Sequence, residues 1–140
     1  MTINEIQDNI IEDFELFDNW EDKYTYIIET AKQLPALAEE FKTEKYKIKG
    51  CQSNVWMHAS MEGEKVIFEA DSDALIVKGL VSLLIKVLSG HSPEAIAGSD
   101  LYFIDKIGMK QHLSMTRANG LVSMIKQMKM YGLAYQSKVN

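Results

Sequence analysis

One side chain in this sequence has the character of a nucleophile, and it stands alone. Cys51 is the single cysteine among 140 residues. It sits in "KIKGCQSNVWMHA" (residues 47–59), between glycine, glutamine and serine, just ahead of an alternating run. A thiol does chemistry as its thiolate. At an ordinary pKa of about 8.5, only a few per cent is ionised at neutral pH. A polar loop suits a thiol that another molecule must reach. Gly50 lets a second chain approach the backbone closely. Gln52 and Ser53 adjoin Cys51 and can offer hydrogen bonds to a sulfur anion. The competing reading is an inert cysteine used as a small apolar side chain.

The candidates around that thiol are few. Arg117 is the one arginine among 15 basic residues. Its planar fork of donors suits shaping the site around the thiol or a partner surface; an ion pair at the start of the last helix fits equally well. His112 precedes that helix and could move a proton, although a structural histidine explains it too. His58 and His91 have weaker claims. Asp73 could face a partner near the cysteine loop or simply cap a helix. Trp56 reads as core beside the site, and Lys78 as a solvated lysine.

Elements must position these residues, and the pattern specifies them. "TINE" at Thr2–Glu5 is a capping box that opens a helix to about Phe14. "DNWE" gives a second start at Asp18, followed by Tyr24, Ile27, Ile28, Ala31 and Leu34 at helical spacing, with Pro35 as the stop. After Cys51 the period becomes two. Val55, Met57 and Ala59, then Val66, Phe68 and Ala70, flank the turn "EGEK" and predict a β-hairpin. A hairpin alone is marginal, so residues 45–48 are the expected third strand. "DSDALIVKGLVSLLIKVLSG" predicts a buried helix, with Asp71, Ser72 and Asp73 at its N-terminus. Its one polar stripe is Lys78, Ser82, Lys86 and Ser89. Ser92 and Pro93 begin a short helix, and another covers about residues 101–107. Ser114 caps the last helix, where Leu121, Met124, Ile125 and Met128 share a core face. Helices, a hairpin, then helices predict an α+β sandwich in a single domain, 1–140.

Composition excludes several functions. One cysteine rules out an internal disulfide framework, and a zinc or iron–sulfur site built from several thiolates of this chain. The net charge is −5, with 12 acids and 6 bases in residues 1–50, against 8 and 9 in residues 51–140. No basic stripe runs along the sequence, so nucleic acid is not an expected partner. The acidic first third is a solvated helical face that could also help choose a protein partner. The buried helix is short and carries two lysines, which argues against a membrane span. The acidic start is unlike a signal peptide, and a bacterial cytoplasmic protein is expected.

The wording around Cys51 resembles a family. "GCQSNVW" (residues 50–56) is similar to the signature of the SufE sulfur-acceptor proteins of iron–sulfur cluster assembly. "NWEDKYTYIIETAKQLPAL", "DSDALIVKGL" and "QHLSMTRANGL" resemble three further blocks of that family, in family order. Met115 stands where the family commonly has a proline. The resemblance implies a SufE/IscU-like sandwich, with a small mixed or antiparallel sheet of about three strands flanked by helices. It implies that Cys51 takes persulfide sulfur from a cysteine desulfurase (SufS-like or CsdA-like), stimulates its turnover, and passes the sulfur to a SufBCD-like iron–sulfur scaffold complex. Pyridoxal phosphate would belong to the desulfurase, with no cofactor or metal on this chain. Gly50, Gln52, Ser53, Asp73, His112 and Arg117 would support the thiol or bind the partner. Monomer and homodimer both fit.

Persulfide exchange needs one thiol, and a second cysteine would compete by releasing the sulfur. The rival readings are a cysteine hydrolase with His112 or His58 as base, a thiol redox sensor, and an interaction domain with an inert cysteine.

Overall fold

The alternating middle of the chain folds as expected. Val55–Glu62 (β1) and Lys65–Ser72 (β2) pair antiparallel, from Val55 opposite Ser72 to Glu62 opposite Lys65. Gly63 turns the hairpin with a φ of 62°, the left-handed geometry that a two-residue loop requires. Val55, Met57, Ala59, Val66, Phe68 and Ala70 are buried on one face. The structure, a computed structural model, describes residues 1–139.

Among the described residues the sheet has two strands, not three. The expected third strand at residues 45–48 is reduced to a remnant. Glu44–Tyr46 winds into a 3-10 turn. Pairing then lasts for one bridge, Lys47 with Trp56, and one bond from Ile48 N–H to the Val55 carbonyl at 2.8 Å. Gly50, at φ 91°, bends the chain away before the ladder can continue. The preceding residues lie over the outer face of the hairpin, where Phe41 stacks on His58 at 3.8 Å.

Helices cover the buried face. Ile3–Glu15 (α1) carries the expected capping box between Thr2 and Glu5. Trp20–Lys32 (α2) is capped by Asn19, one residue later than expected, because Asn19 Oδ1 accepts the Asp22 N–H at 2.8 Å. Leu75–Leu88 (α3) is the central helix, with Leu80, Val81, Leu84, Val87 and Leu88 almost wholly buried. Ser82 was expected in a solvated stripe. It is buried instead and donates to the Thr30 carbonyl at 3.1 Å.

The expected cap of α3 is also corrected. Ala74 precedes the helix and supplies no side-chain cap. Asp71 and Ser72 still belong to β2, and their side chains, with that of Asp73, are committed elsewhere.

Pro93–Ala97 (α4), capped by Ser92, and Phe103–Lys106 (α5) lead to a long final helix, Met115–Val139 (α6). Ser114 Oγ accepts the Arg117 N–H at 3.2 Å, so the cap of α6 is intact with Met115 at its first position. Leu121, Met124 and Met128 are buried, and Tyr135 donates to the Ala59 carbonyl at 3.0 Å. Buried Gln7 ties α1 to the segment before α5: its amide donates to the Asp100 carbonyl and its oxygen accepts the Phe103 N–H.

The tightest helix contact is between α2 and α3. A Cβ on Gly79 would stand 2.4 Å from the Ile27 carbonyl oxygen and 2.5 Å from Ile27 Cγ2. Glycine costs about 1 kcal/mol against alanine inside a helix, yet here alanine has no room. Gly79→Ala is expected to destabilise the fold by about 1–3 kcal/mol, the usual cost of overpacking. Urea unfolding of the two proteins measures it; equal midpoints would overturn the backbone contact.

Candidate functional site

The thiol lies on a loop that is fixed at both ends. At its first end, Gly50 presses against α6, where an added Cβ would come within 2.5 Å of Ser123 Oγ. Its positive φ and this approach together require glycine. Cys51 follows, half-buried, and its Sγ donates to the Gly120 carbonyl at 3.6 Å. Gly120 packs beside that sulfur; a Cβ there would sit 3.5 Å from Sγ, in ordinary van der Waals contact.

The second end is held by Asn54. Its backbone N–H and side-chain amide donate to the Asp73 carboxylate at 3.1 and 2.8 Å. Its carbonyl accepts from Ser72 Oγ at 2.7 Å and from the Asp73 N–H at 3.3 Å. The residues expected to cap α3 therefore clamp the cysteine loop. Asp71 braces the clamp from behind, pairing with Lys42 at 3.0 Å and Lys78 at 3.3 Å. Burial pushes the Asp71 carboxyl up. Lys42, the Ser72 N–H and Lys78 together outweigh it and hold the group below the usual carboxylate range. Lys78 is thus a partner of Asp71 rather than a free solvated lysine.

Cys51 opens onto a cavity of about 360 Å³. Gln52 and Ser53 line it from the loop, and Val77 from α3. Ser114, Thr116, Arg117, Gly120 and Met124 line it from the start of α6. Arg117 makes no ion pair among the described residues, so the structural pair considered for it does not form there. An anion in this cavity would meet Arg117 near the N-terminal end of α6, the positive end of the helix dipole. The free thiol is in a different state. Burial pushes its pKa up, so it stays protonated and can donate to Gly120.

The structure brings Gly50, Gln52, Ser53, Cys51 and Arg117 together, with Asp73 at the loop's far end. It does not bring in His112. That ring stacks flat on Trp20 at 4.0 Å, its Nδ1 lies 3.1 Å from the Gly108 carbonyl, and its own carbonyl accepts from the Tyr24 hydroxyl. His58 stacks on Phe41, and His91 meets the Met1 carbonyl. No imidazole lines the cavity, so a cysteine–histidine hydrolase has no base there. Trp56 points to the outer face of β1 and is half-buried, not core, as the alternation with buried Val55 and Met57 requires. Among the described residues no three His, Cys, Asp or Glu side chains gather to hold a metal, and no helix is long and apolar enough to cross a membrane.

Two functional contributors escaped the sequence reading. Gly120 had a signal: a glycine inside a helix, three residues after Arg117, returns to the same face. Asn54 had none, since its partner Asp73 becomes its neighbour only through the hairpin.

A family model described as "SufE: Fe-S metabolism associated domain" matches residues 8–132. An uncharacterized SufE-like protein of Rhizobium etli is 47% identical over a 127-residue alignment that covers 87% of this chain and 86% of the relative. Another, of Rhizobium meliloti, is 45% identical over 127 residues, covering 87% and 91%. The fold is similar to the solution structure of a hypothetical protein from Thermus thermophilus, with a TM-score of 0.79 and 23% identity, covering 94% and 96% of the two chains.

Two outcomes test the sheltered loop. Alkylation of Cys51 by iodoacetamide is expected to rise with pH about a midpoint above the ordinary thiol value of about 8.5, because burial disfavours the thiolate. By the same sign, the stability contributed by the neutral thiol is complete below the unfolded-state value and is lost as pH rises through the raised folded value. A midpoint at or below the ordinary value would sink the geometry. Asp73→Ala strips Asn54 of both carboxylate bonds and is expected to speed alkylation several-fold at fixed pH, with Asp73→Asn between. Identical rates in all three proteins would show that the clamp does not hold the loop.

Proposed function

This chain belongs to the SufE family of iron–sulfur metabolism, and from that we propose that Cys51 accepts persulfide sulfur from a cysteine desulfurase and hands it to an iron–sulfur scaffold complex. The observation that carries the proposal is the placement of the chain's one thiol. It is on a two-ended loop, half-sheltered, at the mouth of a cavity with Arg117 in its wall.

The transfer balances without an oxidant. The Cys51 thiolate attacks the outer sulfur of the donor's persulfide. A sulfur–sulfur bond to Cys51 forms as the donor's own breaks, and the donor thiolate leaves with that electron pair. The proton given up by Cys51 goes to solvent or to the departing thiolate. No second cysteine on this chain can then attack the product and release its sulfur.

The resting arrangement supports protection more than attack. The thiol is protonated, bonded to Gly120, and half-covered by α6. Docking of the desulfurase frees the loop between Gly50 and Asn54, and the thiol ionises as it gains water and positive charge. Shelter afterwards keeps the persulfide from small thiols. The work takes place in the bacterial cytosol, and pyridoxal phosphate stays with the desulfurase.

Intact-protein mass spectrometry after incubation with a cysteine desulfurase and free cysteine tests the proposal. The wild type is expected to gain one sulfur, Cys51→Ser none, and reductant should remove it. A wild type left unmodified by a desulfurase that is turning over would overturn the acceptor role. In the same mixture, unchanged hydrogen exchange across residues 49–54 would count against the loop movement alone.

A further inference from the structure

We propose that the groove beside the cysteine loop, between residues 44–49 and the middle of α6, receives an acidic segment of the persulfide donor; this rests on the acceptor reading above. The groove has a volume of about 580 Å³, against about 360 Å³ for the cavity at Cys51. Lys45, Lys47 and Lys49 line one side, and Lys126 of α6 the other. Ile48, Met130 and Tyr131 supply apolar surface between them. Ser123 also lines it, and Ser123 is the residue against which Gly50 rests. The cysteine loop is therefore the ridge between groove and cavity, and a segment lying in the groove ends beside the thiol.

Charge complementarity selects the occupant. Four lysines face one carboxylate, Glu44. That carboxylate reaches Lys47 at 3.7 Å with its own side chain 91% exposed, a pair of little strength. Lys45 lies over the Tyr46 ring, and Lys49 and Lys126 make no ion pair among the described residues. This basic patch sits on a chain of net charge −5, whose residues 1–50 hold 12 acids. A short acidic segment feels only the lysines, because exposed charges are screened beyond about 8–10 Å. Lysines are also point charges on flexible stems, which tolerate varied carboxylate geometry. Met130 is 52% exposed, so an apolar side chain of the segment has a surface to cover.

Charges of this kind act on encounter and register more than on the transfer itself. The test uses a pyridoxal-phosphate cysteine desulfurase that loads the wild type. The triple variant Lys47→Glu, Lys49→Glu and Lys126→Glu is expected to weaken its binding at least about tenfold, since like charges now face each other. The salt dependence of Kd should flatten, while the loading rate at saturating acceptor stays at the wild-type value. A separate set of three, Lys65→Glu, Lys86→Glu and Lys106→Glu, at exposed lysines outside the groove, controls for net charge. Where the triple variant melts early, Lys126→Glu alone serves, with a proportionate loss. Wild-type Kd and salt dependence in a folded variant would overturn the groove and leave the acceptor role standing. A wild type that is neither bound nor loaded overturns both. A labelled single-stranded oligonucleotide that binds wild type tightly but not the triple variant would reassign the groove to nucleic acid.

Discussion

The arrangement depends on a missing carbon. Where the loop that bears the thiol meets α6, Gly50 has no Cβ; one added there would stand 2.5 Å from Ser123 Oγ. Any side chain at Gly50 would press on Ser123 Oγ and strain a backbone whose φ of 91° side-chain-bearing residues rarely adopt. A loop that shifted to relieve that strain would give up the Cys51 bond to Gly120. The position of α6 is in turn fixed by its own glycine, since a Cβ on Gly132 would fall 3.0 Å from Ile96 Cγ2. The buried Leu121, Met124 and Met128 secure the same helix to the core.

A second economy lies at the end of β2. Asp71, Ser72 and Asp73 stand where a helix begins, yet none of them caps it. Asp71 joins Lys42 of the outer-face segment to Lys78 of α3, Ser72 and Asp73 grip Asn54, and the helix starts uncapped at Ala74. Side-chain caps are worth about 1 kcal/mol. α3 forgoes one because its stability comes from burial of a nearly continuous apolar surface. That frees three polar residues to hold the thiol's loop.

Much of this was legible in the sequence. The hairpin, the buried central helix, the caps at Thr2, Ser92 and Ser114, and the place of Cys51 ahead of β1 all follow from period, caps and turn chemistry acting over a few residues. The third strand did not follow. Residues 45–48 have strand-like alternation, but a 3-10 turn takes up the first two of them, and with Gly50 after them it cuts the ladder to a bridge. The roles of His112 and Asp73 were hidden for one reason. Each depends on which residue arrives from elsewhere in the chain, Trp20 against His112 and Asn54 against Asp73, whereas the outward side of Trp56 was already implied by its alternation with Val55 and Met57. Local rules give a residue's options, and long-range packing selects among them.

The bond from Cys51 to Gly120 spans 69 residues of sequence. Chains leave the ribosome from the N-terminus, and folding follows in that order. The hairpin and the cysteine loop therefore emerge well before the helix that shelters the sulfur. Throughout that interval the thiol has neither its lid nor its acceptor carbonyl. Cover arrives only with the final helix, so an incomplete chain carries an open, unguarded thiol and a finished one does not.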